Sequence, residues 1–272
     1  MKAKKSLGQN FLTSLAVVGD IVRAAKVTGG DVVVEVGPGK GILTAALLKY
    51  ARRVIAVEKD DRLIPYLEEK FKEEIKNKNL TLVHGDILKL KIESLKLKTG
   101  SYKVVANIPY YITGQLLRFF LEHKNKPSSI TILVQKEVGQ RIVARPARAG
   151  GGGKESILSI SVKLFGQPRY VRKVNASVFS PKPKVDSAIL NIENIRPPFK
   201  TKEEEGHFFK ILKTGFAHKR KILAGNLRGL FGGETTSSAF DACHINEKTR
   251  AENLSLPDWK CLAPRLNFRA RP

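Results

Sequence analysis

Cysteine is nearly missing from this chain. Its 272 residues hold two, Cys243 and Cys261. They form no CxxC pair and no His/Cys array, so zinc is not expected and no metal is assigned. So few thiols fit a reducing compartment, the cytoplasm. Long apolar runs are lacking too. None approaches the roughly 18 residues of a membrane-crossing helix, and no membrane partner is expected on that ground. The N-terminal stretch MKAKKSLGQNFLTS is basic but carries no apolar segment of the kind a secretory signal needs. Acidic residues are the remaining shortage. Asp and Glu number 25 against 49 Lys and Arg, which leaves a net charge of +24 and a pI near 10.1.

That excess bears on the class of partner. A field of this sign draws polyanions, nucleic acid first and an anionic membrane surface second. The plain alternative is a solubility surface or a hot-growing source. The excess is spread, +17 before Arg196 and +7 from it onward, so neither half is a basic tail. A composition of 42% hydrophobic and 27% charged residues, without a long biased tract, reads as a folded protein. The length allows one large domain and a small one.

Apolar runs alternate with helical patterns. DVVVEV (31–36), RVIAVE (53–58), LTLVHGD (80–86), YKVVANI (102–108) and SITILVQ (129–135) read as strands. GILTAALLKY (41–50), RLIPYLEEKFKEEI (62–75), ITGQLLRFFLEH (112–123) and KEVGQRIVA read as helices. This rhythm predicts an α/β fold with a mostly parallel sheet covered on both faces. SILSISVKLF (156–165) fits either a strand or a helix, while YVRKVNASVF and DSAILNIE suggest an antiparallel pair at one sheet edge. NIRPPFK (194–200) reads as a Pro-rich hinge, and beyond it the pattern is helical. The expected domains are therefore 1–195, α/β, and 196–272, small and all-helical. ARAGGGGKES (147–156) reads as a flexible loop; it fails the Walker pattern because Glu155 stands where Ser or Thr is required.

The turn after the first strand is EVGPGKG, Glu35 to Gly41. Gly37 and Gly39 match a dinucleotide fingerprint, but its third glycine falls on Ile42. That argues against a pyrophosphate at the helix start and for a ligand with a ribose but no phosphate. Glu58 ends the second strand, where an acid takes ribose hydroxyls. Asp86 ends the third and is placed to accept from an exocyclic adenine amine. Each signal is weak alone; in this order they describe an adenosyl ligand, with S-adenosylmethionine as the phosphate-free candidate.

NIPY, at the end of the fourth strand, then reads as the reaction site. An aromatic amine is a poor nucleophile, and it needs acceptors for its N–H groups rather than a strong base. The Asn107 side-chain oxygen and the carbonyl of Ile108 or Pro109 supply them, and Pro109 restricts the backbone of Ile108. Tyr110 offers a ring for base stacking, which requires the base to swing out of its own stack. Phe179, in VFSPKPKVDSAIL, supplies the other wall, and Lys182 and Lys184 meet phosphates. The plain alternatives are a strand-ending turn with a packed tyrosine and a Pro-rich connector with Phe179 in the core.

Taken together, KKSLGQNFLTS, VVEVGPGKGILT, VIAVEKD, GDIL, VVANIPYYIT, LVQKEVGQRIVA, VFSPKPKVDSA and RAENLSL resemble the KsgA-type ribosomal RNA small-subunit adenine N6,N6-dimethyltransferase family over nearly the whole chain. The resemblance implies a Rossmann-like class I methyltransferase sheet with a small C-terminal helical RNA-binding domain. It implies methyl transfer from S-adenosylmethionine to the N6 amines of two adjacent adenosines in a 3′-terminal hairpin of small-subunit rRNA, during ribosome biogenesis. The partner is that rRNA or a 30S assembly intermediate, and the chain is expected to be a monomer. Asn10 and Leu12 would meet the methionyl or sulfonium part of the cofactor. Gly37, Glu58, Asp86 and Asn107 would hold loop, ribose, adenine and methyl region. Tyr110 and Phe179 would sandwich the base. A large-subunit rRNA adenine methyltransferase is the near rival and a non-catalytic assembly factor the distant one. In the helical domain His218, Lys219, Arg220 and Lys221 form a candidate phosphate grip, or a solvated helix face.

Overall fold

The structure, a computed structural model, describes residues 3–4, 7–218 and 220–266. The chain opens with β1 (Phe11–Leu12) and α1 (Leu15–Ala25). Then follow β2 (Val32–Val36), α2 (Ile42–Leu47), β3 (Arg53–Glu58), α3 (Ile64–Lys70), α4 (Lys72–Lys76) and β4 (Leu80–His84). Next come β5 (Tyr102–Ala106), α5 (Thr113–Glu122), β6 (Ser129–Gln135), α6 (Lys136–Val143) and α7 (Ile157–Phe165). They are followed by β7 (Gln167–Val174), β8 (Phe179–Ser180) and β9 (Ser187–Glu193). The chain closes with α8 (Lys202–Gly215), α9 (Leu223–Phe231), α10 (Gly233–Ala242) and α11 (Leu256–Leu262).

Seven strands form one sheet in the order β4-β3-β2-β5-β6-β9-β7. The first five are parallel, and β9 runs antiparallel to both β6 and β7. Every residue of β2 is buried, as expected for a parallel strand covered on both faces. α1 starts on Ser14, whose hydroxyl accepts the Val17 N–H. The chain runs outward from β2 through β3 to β4, then returns to place β5 on the other side of β2. The order reverses between β2 and β5, and in open α/β sheets ligands bind beyond the strand ends at such a reversal.

Several expectations change in detail. The segment 156–165 is the helix α7. The expected single helix over 62–75 breaks at Phe71 (φ −116°, ψ 30°), whose buried ring packs beneath the glycine loop. The antiparallel pair at the edge is β9 with β7. The chain divides into two compact units, Met1–Gly139 with Gly166–Arg196 and Gln140–Phe165 with Pro197–Pro272. The expected boundary at 195/196 lies one residue from one of the crossings, and 140–165 groups with the helices of the second unit. Within that second unit Lys154 pairs with Glu252, Arg148 with Asp258, and Phe165 stacks on Phe209 at 6.2 Å. The two cysteines are not spare thiols either. Cys243, after α10, and Cys261, on α11, form a disulfide with their Cα atoms 5.9 Å apart, so the inference from thiol scarcity to a reducing compartment loses its footing. Among the described residues no helix is long and apolar enough to cross a membrane, and no three His, Cys, Asp or Glu side chains are grouped to hold a metal ion.

Candidate cofactor and methyl-transfer site

One cavity lies at the order reversal, within the first unit. Asn10, Leu12, Gly37, Glu58, Asp86, Asn107 and Pro109 all line it. The glycine loop forms its floor. Gly41 has φ 73°, and a Cβ there would come within 2.5 Å of the Phe71 ring; Gly39 has φ 57°, with Phe11 at 3.0 Å from a notional Cβ. Both positions therefore need glycine for conformation and for room.

Glu58, at the end of β3, is 6% exposed. Its Oε2 accepts the Gly39 N–H at 3.1 Å, and its Oε1 accepts the N–H groups of Lys59 and Asp60 at 2.9 and 2.8 Å. Burial holds its pKa above the ordinary carboxylate value against the opposing pull of these bonds. A carboxylate offers about four acceptor sites, so three backbone donors leave Oε2 one site for a ligand hydroxyl. Asp86 caps the short turn after β4, accepting the Leu88 N–H at 3.0 Å and the Lys59 ammonium at 2.9 Å. Burial pushes its carboxyl up, but these contacts win and its pKa is lowered.

Asn107 follows β5. It lines the cavity, is half-buried, and makes no side-chain hydrogen bond among the described residues. The Pro109 carbonyl accepts the Ile112 N–H at 3.2 Å. Of the two carbonyls read as acceptors for an amine, Ile108's is thus the one left over. Tyr110 follows Pro109 on the short turn beside this cavity. It does not line it; its half-buried ring sends the hydroxyl to Ser187 Oγ at 2.6 Å, and burial raises its pKa. Its neighbour Tyr111, 66% exposed, lines the cavity instead and packs on Gly8. Phe179 is 5% exposed and sits in the core with Phe11 and Leu12, so the plain reading of it describes its side chain. Its backbone still matters, because Phe179 pairs with Leu12 and Ser180 with Phe11, two residues that line the cavity. Lys182 and Lys184 are exposed.

Sequence reasoning missed how the N-terminal wall is held. Gln9 donates from Nε2 to Asp60 Oδ2 at 2.7 Å and accepts the Lys4 N–H at 2.8 Å. Arg62 grips Asp60 from the other side at 2.8 and 2.6 Å and, with Gln9, drives that carboxyl far below the ordinary range. The signal is present in GQNFL and EKD, but sequence alone does not pair residues 51 positions apart. Glu35 was read only as part of the glycine motif. It is fully buried, and neither of its carboxyl oxygens has a partner. In the second unit His218, Arg220 and Lys221 are exposed; Lys219 lies outside the described residues.

A family model described as ribosomal RNA adenine dimethylase matches residues 1–267. A ribosomal RNA small subunit methyltransferase A of Dehalococcoides mccartyi is 43% identical over 96% of this chain and 88% of its own length. A protein of the same name from Clostridium acetobutylicum is 38% identical over 94% and 90%. Among solved structures, a dimethyladenosine transferase from Plasmodium falciparum has a TM-score of 0.76 at 27% identity, covering 93% of this chain and 95% of its own. The 23S rRNA methyltransferase ErmE has a TM-score of 0.73 at 25% identity, covering 94% and 99%.

Proposed function

Because the chain belongs to the ribosomal RNA adenine dimethylase family, we propose that it transfers methyl groups from S-adenosylmethionine to N6 of two adjacent adenosines in a 3′-terminal hairpin of small-subunit rRNA, as a step of ribosome biogenesis. The observation that carries this reading is the unpartnered Asn107 amide in the same cavity as Glu58 and Asp86. The residues present fit the cofactor. A glycine loop that admits no Cβ, one free acceptor site on Glu58 and the remaining acceptor sites of Asp86 match an adenosyl group without phosphates. The cofactor supplies an electrophilic methyl group on a positively charged sulfur.

The chain's own residues then bind and orient. Asn10 and Leu12 hold the methionyl side, Gly37 and Glu58 the ribose, and Asp86 the adenine. Asn107 Oδ1 and the Ile108 carbonyl accept the two N–H bonds of the target amine and turn its lone pair toward the methyl carbon. Neither group is a base, and the amine sheds its proton after the new bond forms. Holding the reactants in line supplies most of the acceleration in such a displacement. Pro109 fixes the Ile108 backbone, Tyr110 stacks on the extruded base, and Phe179 supports that wall through its ladder with Leu12. Lys182, Lys184 and the second unit's Arg220 and Lys221 meet phosphates. The partner is small-subunit rRNA or a 30S assembly intermediate, met by a monomer in the cytoplasm.

The large-subunit reading is kept because the ErmE structure matches nearly the whole chain. Incubation with a labelled methyl donor and undermodified 30S and 50S particles, followed by mapping, separates the two. Label on two adjacent adenosines near the 3′ end of the small-subunit rRNA is expected. Label confined to 50S particles, or none in either, overturns the proposal.

A further inference from the structure

Glu35 has no role in the scheme above, yet it is the least comfortable side chain in the first unit. It precedes Val36, which lines the cavity, and it pairs in register with Ala56 on β3 and Val105 on β5. Neighbours in register share a face. Ala56 and Val105 belong to the apolar core that contains Phe11, Leu12 and Leu43, so Glu35 faces that core, and those three core residues also line the cavity. It is 0% exposed; the nearby Thr44 hydroxyl pulls its pKa down, but at a geometry too poor to satisfy either the hydroxyl or the carboxyl oxygens. An apolar or amide side chain of similar size would fill this place without the cost of burying an acid.

Among the described residues no cation pairs with it. β3 contributes Glu58, of the same sign, and at its other end Arg53, which is exposed and donates to Thr81 Oγ1. The turn after β3 contributes Lys59, tied to Asp86, and Asp60, tied to Arg62 and Gln9. The glycine loop contributes Lys40, whose Nζ lies 5.2 Å from the Phe11 ring centre. α1 contributes Asp20 and Arg23, paired with each other, and β5 contributes Lys103, paired with Asp31. β1 and α2 carry no charge. The missing positive charge is one that the cavity itself would receive, because the methyl donor is a sulfonium and its product a neutral thioether.

We propose that Glu35 discriminates the sulfonium donor from the thioether product, carrying its negative charge only while the cationic sulfur occupies the cavity. The inference rests on the reading that the cavity takes S-adenosylmethionine. Donor binding breaks the Glu35 O–H bond and releases that proton to solvent. Methyl transfer removes the positive charge, the target amine sheds a proton, and Glu35 takes one up. Charge and protons balance, and no other reactant is needed. Burial, which Thr44 opposes and Glu58 reinforces, pushes the carboxyl up to about 8, so in the empty cavity the proton is present at pH 7. The consequence is that the product, which leaves the acid neutral, is held less tightly relative to the donor than it otherwise would be.

The test is calorimetric titration of the full chain with S-adenosylmethionine and with S-adenosylhomocysteine at pH 7, in two buffers of different ionisation enthalpy, which counts protons exchanged. The donor's α-amino group titrates in the same range, so wild type is compared with Glu35→Gln. Wild type should release up to about one proton more than the variant on binding the donor, and no more on binding the thioether. Donor-over-product preference should rise roughly ten- to fiftyfold between pH 6 and 8 in wild type and stay flat in the variant. Equal proton release in the two proteins overturns the inference. Should the variant fail to fold, infrared difference spectra of wild type decide it: the carbonyl band of a protonated carboxyl must vanish with donor and persist with product. Donor bound without a linked proton sinks this inference alone; no donor bound at all sinks the cofactor reading with it.

Discussion

Among the described residues neither Asn107 nor Glu35 has its side chain satisfied by a hydrogen bond, and their surroundings give the two opposite meanings. Asn107 borders an open cavity, so its free amide is available to substrate. Asn107→Ala should lower kcat for methyl transfer by about 10²-fold or more while rRNA affinity stays near wild type, measured by single-turnover methylation and filter binding. Turnover close to wild type would remove the residue from the mechanism. Glu35 has no such opening. Its folded-state pKa, raised from 4.5 to about 8, means that the folded chain holds this proton more tightly than the unfolded chain. Stability from this group is fully present below about 4.5 and is lost as pH rises toward 8. Glu35→Gln should therefore flatten the pH dependence of unfolding in the cofactor-free protein over that window. The gain relative to wild type should grow with pH to a few kcal/mol, about 2–5, as read by urea titrations at pH 5, 6.5 and 8. Parallel stability curves for the two proteins would show that the acid is not buried as described. At this scale the sequence was a good guide to which residues meet and a poor one to how they face. Tyr110 and Tyr111 are adjacent and chemically alike, and only the short helical turn that carries them decides which one reaches the cavity. Phe179 could be read as a wall or as core, and its burial is set by β1, far away in sequence.

Among the elements, the parallel strands were legible because strands covered on both faces must read as unbroken apolar runs. The strand order was not, since no local signal says on which side of β2 the chain returns. The segment 156–165 was ambiguous for a related reason: its buried face fits either period, and only its neighbours in the second unit settle it as a helix. The N-terminal segment shows how an element too short to fold alone is fixed. Leu7 to Leu12 makes one wall of the cavity, pinned at one end by the β1–β8 ladder and at the other by Gln9 on Asp60. The Gln9–Asp60 bond reaches a carboxylate of 2% exposure that Arg62 also grips, which makes it a charge-assisted bond in a largely dry setting. Gln9→Leu keeps the volume and removes the latch. It should raise KM for S-adenosylmethionine by about 10-fold, equivalent to about 1.4 kcal/mol, with kcat at saturation little changed. Gln9→Glu combined with Asp60→Asn reverses the polarity of the bond and should recover part of the loss. A fall in kcat alone, with KM untouched, would mean that the latch serves something other than cofactor binding.

At the scale of the whole molecule, the charge excess and the disulfide address the same question from different sides. The excess of +24 suits an rRNA partner, yet on composition alone it equally suited a heat-adapted surface. A cytoplasmic protein keeps a bridge such as Cys243–Cys261 chiefly in heat-adapted cells. The two readings of the charge are therefore compatible, and the bridge is the feature that tells whether the second applies. It joins residues 18 apart in sequence, across the turn between α10 and α11. Closing a loop of that size in the unfolded chain contributes roughly 3 kcal/mol. For a unit of this size, each kcal/mol moves the midpoint by about 4–8 °C. Replacing both cysteines by serine should thus lower the thermal midpoint of the helical unit by about 10–20 °C. The first unit, which holds no cysteine, should keep its own transition. Scanning calorimetry of wild type, wild type with dithiothreitol and the double variant checks this. Reduced wild type should follow the variant, and coincident traces for all three would mean that the thiols stay apart in solution and that the stability of the helices rests on their packing around Trp259 alone.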